Sequence, residues 1–154
     1  MSGRLADLSG TEVADSLTSD SVIVLPVGAI EQHGPHLPMS VDTVIADEVA
    51  SALLNAVGGD IDLWLLPTLA VSKSNEHLWS PGTLSLSAET LLRVLDDLAP
   101  CIAATPARRL VFLNGHGGNS SLLVTSCRYL LVAHCLLTFL VHPFIPPASG
   151  GQGT

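Results

Sequence analysis

A carboxylate and an imidazole lie two residues apart in the segment that runs from Gly28 to Pro38 (GAIEQHGPHLP). In an extended segment the side chains of Glu31 and His33 point the same way, so they can bind one metal ion or two adjacent ions. Asp42 follows at the start of a predicted helix, where the helix dipole favours a carboxylate. Asp42 can act there as a helix N-cap and as a ligand at once. These residue types predict a metal site.

A second candidate segment is the glycine-rich run Asn114–Asn119 (NGHGGN), which lies between a predicted strand and a predicted helix. Its glycines allow tight turns and a close approach of the backbone to a ligand. His116 at the tip is the fourth candidate metal ligand. A phosphate-binding loop is disfavoured because the G-x-x-x-x-G-K-[ST] pattern is absent. A simple helix-start turn remains an alternative.

The segment Asn75-Glu76-His77 supplies the candidate catalytic residues. His77 can bind a metal, orient a substrate or transfer a proton, because the pKa of imidazole lies near neutrality. Glu76 is a weaker candidate, whose alternative is a solvated loop carboxylate. His36 and His142 are weaker still. His134 is predicted to lie at a helix end.

The elements that position these residues alternate between strands and helices. Nearly continuous apolar runs predict parallel strands buried on both faces, at Val22–Val27, Leu63–Leu66, Leu110–Leu113 and Leu136–Val141. Periodic apolar residues predict the helices Thr43–Val57, Ser87–Ala99 and Asn119–Ala133. The order predicts an α/β fold in three layers, with helices on both faces of a mainly parallel sheet. Five of the six histidines then follow carboxyl ends of strands, where such folds gather working groups.

Composition limits the binding partners and the cellular compartment that we expect for the protein. The 154 residues suit one domain, and a net charge of −8 with a single lysine disfavours nucleic acid. The apolar run from Leu130 to Phe144 is too short to span a membrane. The N-terminus lacks the apolar core of a signal peptide, so we expect a cytoplasmic protein. Cys101, Cys127 and Cys135 are expected to be buried, reduced thiols.

The blocks E-Q-H-G-P-H-L-P and N-G-H-G-G-N, with Glu76-His77 and Pro81-Gly82-Thr83 between them, resemble the creatininase family of metal-dependent amidohydrolases. The resemblance implies a three-layer α/β/α fold, a homo-oligomer and two divalent metals, zinc, manganese or iron. It implies that Glu31 and His116 bind one metal, that His33 binds the other and that Asp42 bridges both. Activated water would then cleave a non-peptide C–N bond in a small amide, a cyclic amide or a formamide-type group, and some relatives trim a modified peptide.

Two departures from the family pattern stand out. Gly118 occupies a position where the creatinine-hydrolysing members have a glutamate that completes the second metal site. The family also continues for a long stretch beyond Thr154, so we expect residues 1–154 to form one creatininase-like domain that is incomplete at its C-terminus. The alternative to an active hydrolase is a catalytically impaired metal-binding or interaction module. A nucleotide-binding domain is disfavoured because Glu31 would repel phosphate.

Overall fold

The computed structural model describes residues 1–143, which contain a five-stranded sheet. Its strands are β1 (Gly3–Arg4), β2 (Val22–Val27), β3 (Leu63–Leu65), β4 (Arg109–Asn114) and β5 (Leu137–Val141). They lie in the order β1-β3-β2-β4-β5, and every pairing between them is parallel. This arrangement confirms the predicted α/β fold with a mainly parallel sheet.

Four α-helices pack on the two faces of the sheet. They are α1 (Gly10–Ser16), α2 (Val41–Val57), α3 (Ala88–Ala103) and α4 (Ser120–His134), and single turns of 3-10 helix occur at Leu5–Asp7, Asn75–His77 and Gly117–Asn119. One apolar core joins α2 to β2, β3 and β4 around Val24, Ala50 and Leu65. The larger core joins α3 and α4 to the other face around Leu91, Phe112 and Leu123. The result is the three-layer arrangement that the sequence predicts.

The direction in which successive strands are added to the sheet reverses at β2. The crossover through α2 places β3 on one side of β2, and the next crossover places β4 on the other side. In open α/β sheets such a switch point leaves a crevice at the carboxyl ends of the two strands. Val27 pairs with Asn114 at the ends of β2 and β4, so the loops that carry Glu31 and His116 leave the sheet side by side.

Three expectations fail. β5 is not buried on both faces, because it forms the edge of the sheet and leaves Leu137, Phe139 and Val141 about half exposed. The cysteines are not buried: Cys101 and Cys135 are exposed, and Cys127 is partly buried. α3 does not end at Ala99 as predicted, because it continues through Pro100 to Ala103. No helix within residues 1–143 is long and apolar enough to cross a membrane.

Candidate metal centre

Asp42 lies in the first turn of α2, and the start of this helix rests directly against the loop after β4. A Cβ atom at Gly115 would collide with the backbone oxygen of Asp42 and would press on Ala46 at 3.1 Å. Glycine is therefore required at this position for a steric reason. The nitrogen of Gly115 donates to the Val27 carbonyl at 2.8 Å, which fixes the loop against the end of β2.

Three buried side chains converge at the switch point. Nδ1 of His116 lies 2.9 Å from Oδ2 of Asp42 and 3.4 Å from Oε1 of Glu31. One ligand atom from each residue lies within 4.8 Å of the others. All three residues are at most 6% exposed, and a mixed set of one imidazole nitrogen and carboxylate oxygens suits zinc or manganese.

His33 reaches the same group from its outer side. Its Nε2 lies 3.0 Å from Oδ1 of Asp42, and its Nδ1 lies 3.1 Å from the backbone oxygen of Glu31. The two oxygens of Asp42 therefore face two different histidines, His33 and His116. The structure thus brings together all four side chains that the sequence proposes as metal ligands, with Asp42 between the two imidazoles.

Contacts with backbone carbonyls determine which ring nitrogen of His33 and of His116 is free to bind a metal. Nε2 of His116 lies 3.0 Å from the Lys73 carbonyl, and Nδ1 of His33 faces the Glu31 carbonyl. A carbonyl oxygen can only accept, so each of these nitrogens must carry hydrogen. The opposite nitrogens, which face Asp42, are the ones free to bind a metal. Histidines that bind metals usually have such a partner at the other nitrogen.

The centre is short of positive charge. Oδ2 of Asp42 is buried without a hydrogen-bond donor, although Nδ1 of His116 lies 2.9 Å away. Burial alone lowers the pKa of His116, but the Asp42 carboxylate and the charge of Glu31 together raise it above its ordinary value. A buried oxygen without a donor, beside a second carboxylate, is a place that a cation fits.

His77 lies beside Glu31, whereas Glu76 lies near Nε2 of His116, on the far side of that ring from Asp42. Nε2 of His77 is 3.7 Å from Oε1 of Glu31, and its Nδ1 is 3.3 Å from Nε2 of Gln32. Partial burial raises the pKa of Glu76, but its hydrogen bond and ion pair with Lys73 lower it below the ordinary value overall. Glu76 is thereby held as a carboxylate, and His77 is partly exposed beside Glu31.

Sequence reasoning missed Ser74 and Lys73. Oγ of Ser74 is buried and donates a short hydrogen bond to Oε2 of Glu31. The Lys73 carbonyl accepts from His116. Both residues lie just before Glu76, which was a reason to consider them. A contact through the backbone carbonyl, however, can be made by any residue type, so the sequence does not reveal it.

The weaker histidine candidates lie apart from the centre. His36 is exposed, and His142 is exposed with its Nε2 3.0 Å from Oγ of Ser120. His134 ends α4, as predicted, and lies 3.4 Å from the Asp96 carboxylate.

A comparison with models of protein families shows to which family the chain is related. The model of the family described as Creatininase (creatinine amidohydrolase) matches residues 6–148. The chain belongs to the creatininase family. The resemblance read from the two motif blocks is thereby confirmed, and so is the creatininase fold. A tryptophan-to-alanine mutant creatininase superposes with a TM-score of 0.81 at 28% identity, over 92% of this chain and 58% of that one.

Curated relatives of this creatininase-family chain carry two kinds of name. The mycofactocin precursor peptide peptidase of Mycobacterium tuberculosis (strain CDC 1551 / Oshkosh) is 45% identical over 117 residues, which are 71% of this chain and 46% of the relative. The creatinine amidohydrolase of Pseudomonas putida is 37% identical over 110 residues, which are 68% and 41% of the two chains. The chain spans about half the length of the curated relatives it matches. Solved relatives include a creatininase described as Zn-Zn type and another described as creatininase Mn.

Proposed function

We propose that this chain carries the metal centre of a metal-dependent hydrolase that cleaves C–N bonds in amides with an activated water. The observation that carries the proposal is the buried Oδ2 of Asp42, which has no donor and faces Nδ1 of His116 beside Glu31. A divalent cation satisfies these groups together. Membership of the creatininase family supports the same reading.

The placement of Asp42 supports a centre for two metals. Glu31 and His116 would hold one ion at Oδ2 of Asp42, and His33 would hold the other at Oδ1. The relatives solved in zinc and manganese forms favour these two metals, with iron as a further candidate. A divalent metal bound here would supply a Lewis acid and would lower the pKa of a water molecule.

The residues around the centre have separate tasks in this proposal. Ser74 fixes Glu31 through its hydrogen bond to Oε2 and leaves Oε1 free for the ion. His77 has its Nε2 near that same Oε1 and is partly exposed, so it can deliver a proton to the departing nitrogen. We therefore assign His77 to proton transfer and keep Glu76, which faces the back of His116, in a supporting role.

The relatives favour a peptide-like amide as the substrate. Proteins named mycofactocin precursor peptide peptidase match this chain at 40–45% identity, whereas the creatinine amidohydrolase matches at 37%. Small, cyclic and formamide-type amides remain in the proposed class, with creatinine less favoured. The alternative is a metal-binding or interaction module without turnover. A cytoplasmic homo-oligomer made of one domain over residues 1–154 remains a prediction.

Metal binding tests the proposal directly. Purified protein is treated with a chelator, and Zn²⁺ or Mn²⁺ is then titrated while bound metal per chain and the unfolding midpoint are measured. Metal at 100 times its dissociation constant stabilises the folded state by about 2.7 kcal/mol. We expect Glu31→Ala and His116→Ala to lose this stabilisation. His134→Ala is the matched control, because that histidine lies at the far end of α4 and should leave binding intact.

An amide panel then separates the two candidate functions. It contains peptide-like amides, cyclic amides including creatinine, and formamides. Hydrolysis that disappears with Glu31→Ala supports the hydrolase. Metal binding without hydrolysis supports the binding module. Folded wild-type protein that takes up no metal would contradict both candidate functions.

A further inference from the structure

We propose that Lys73 and Glu76 form a positioning unit for His116, which holds the imidazole with Nδ1 towards Glu31 and Asp42. This inference rests on the proposed metal centre and concerns residues on the opposite side of the imidazole from that centre. Its basis is a closed triangle of contacts among Lys73, Glu76 and His116, together with the absence of a side chain at Gly118.

Lys73 contributes two different groups to the triangle. Its backbone oxygen lies 3.0 Å from Nε2 of His116, and its Nζ lies 2.8 Å from Oε2 of Glu76. The nitrogen of Lys73 also donates to Oδ1 of Asn119 at 3.3 Å, which ties this residue to the loop that carries His116. The only lysine of the chain is thus connected both to the histidine and to its loop.

Glu76 closes the triangle. Its Oε1 lies 3.7 Å from Nε2 of His116, while Lys73 holds the other oxygen. A carboxylate on this side of the ring favours hydrogen at Nε2, and the Lys73 carbonyl requires it. Both groups therefore leave Nδ1 as the metal-facing nitrogen. Outer partners of this kind typically change metal affinity by about 10-fold to 100-fold when they are removed.

Gly118 supplies an independent steric observation. A Cβ atom at this position would come closer than 3.0 Å to both Oε1 of Glu76 and Nε2 of His116. Glu76 is partly exposed and can move, but His116 is 5% exposed and is held on both sides. An added methyl group at Gly118 should therefore push Glu76 away from Nε2 and disturb the imidazole.

The test measures how tightly the chelator-treated protein binds Zn²⁺, in competition with a chromogenic chelator. Glu76→Gln and Lys73→Met should weaken binding by about 10-fold. Lys73→Arg keeps the charge and the backbone carbonyl, so it should stay within about 3-fold of wild type, consistent with an outer contact. Gly118→Ala should weaken binding at least as much as Glu76→Gln. The matched control is Glu89→Gln, which breaks the exposed pair with Arg93 on α3.

A spectroscopic measurement separates positioning from general stability. With Cd²⁺ bound to nitrogen-labelled protein, NMR should show coupling of the metal to Nδ1 of His116 in the wild type. We expect this coupling to weaken in Glu76→Gln and Gly118→Ala. In Lys73→Arg, which keeps the charge, we expect the coupling to match that of the wild type. Unchanged affinity and coupling in Glu76→Gln and Lys73→Met, in protein that binds Zn²⁺, would overturn the positioning unit alone. Absence of metal binding by wild-type protein would instead overturn the proposed function.

Discussion

Asp42 and Asp62 are two carboxylates at opposite ends of the sheet, and their surroundings differ in kind. Asp62 directly precedes β3 and accepts from the side chain of Ser21 and from Nε1 of Trp64, the latter at 2.8 Å. The hydroxyl of Thr18 and the N-terminal amine lie 3.4 and 3.5 Å away. Partial burial raises the pKa of Asp62, but the hydrogen bonds from Ser21 and Trp64 and the charged N-terminal amine together lower it below its ordinary value.

At Asp42 the balance between hydrogen-bond donors and neighbouring negative charge is the opposite. One of its oxygens has no donor, and a ligand atom of Glu31, a second buried acid, lies within 4.8 Å of an Asp42 oxygen. A carboxylate surrounded by donors stabilises the folded chain by itself. A carboxylate that lacks donors and lies among potential ligands is a cost until a cation arrives. The amino end of the sheet is thus arranged for stability, and the carboxyl end for binding.

The largest expected effect concerns metal affinity. Asp42→Asn should weaken Zn²⁺ binding by more than about 100-fold, beyond the usual range for an outer partner, because both proposed ions share this carboxylate. The stability of the metal-free protein should hold or rise, since one of two buried negative charges is removed. Competition titration and urea unfolding measure the two quantities. Asp62→Ala should leave affinity unchanged, and a large loss of Zn²⁺ binding there would break the comparison.

The second effect concerns stability. Asp62→Ala leaves Nε1 of Trp64 and the fully buried Ser21 hydroxyl without their acceptor. The free energy of unfolding should fall by about 1–3 kcal/mol. Urea unfolding in the presence of a chelator measures it without any contribution from metal. Asp60→Ala removes an exposed acid two residues away and serves as the control, so an equal loss in both variants would argue against the hydrogen bonds.

Sequence patterns predicted the central sheet and the four proposed ligands for a clear physical reason. β2 and β3 are buried on both faces, so their residues read as continuous apolar runs. Glu31 and His116 follow neighbouring parallel strands, and the carboxyl ends of such strands must meet. These relations depend on local composition and on strand order, which the sequence contains.

Contacts with the backbone and strands at the edges of the sheet are harder to predict from the sequence. The bond from His116 to the Lys73 carbonyl depends on where a loop passes, and any residue type offers that carbonyl. β1 has only two residues and pairs with β3 without an apolar run of its own. The start of α1 was overlooked although Ser9 and Glu12 form a capping box, a signal present in the sequence. β5 was misjudged because an edge strand can be apolar and still exposed.

The smallest expected effect sharpens the comparison through pH. The pKa of Asp62 is lower in the folded protein than the value of about 3.9 expected when unfolded. The unfolded chain therefore takes up a proton first as the pH falls. The stabilisation is present above about pH 5 and is lost as the pH drops through the folded pKa of this group. Urea unfolding of wild type and Asp62→Ala, with chelator, should show the difference in stability shrinking as the pH falls from about pH 5 to about pH 3. Glu12, whose pKa is also lowered by its bonds to Ser9, is common to both proteins and cancels in that difference. A difference that stays constant with pH would show that Asp62 contributes through packing and not through its charge.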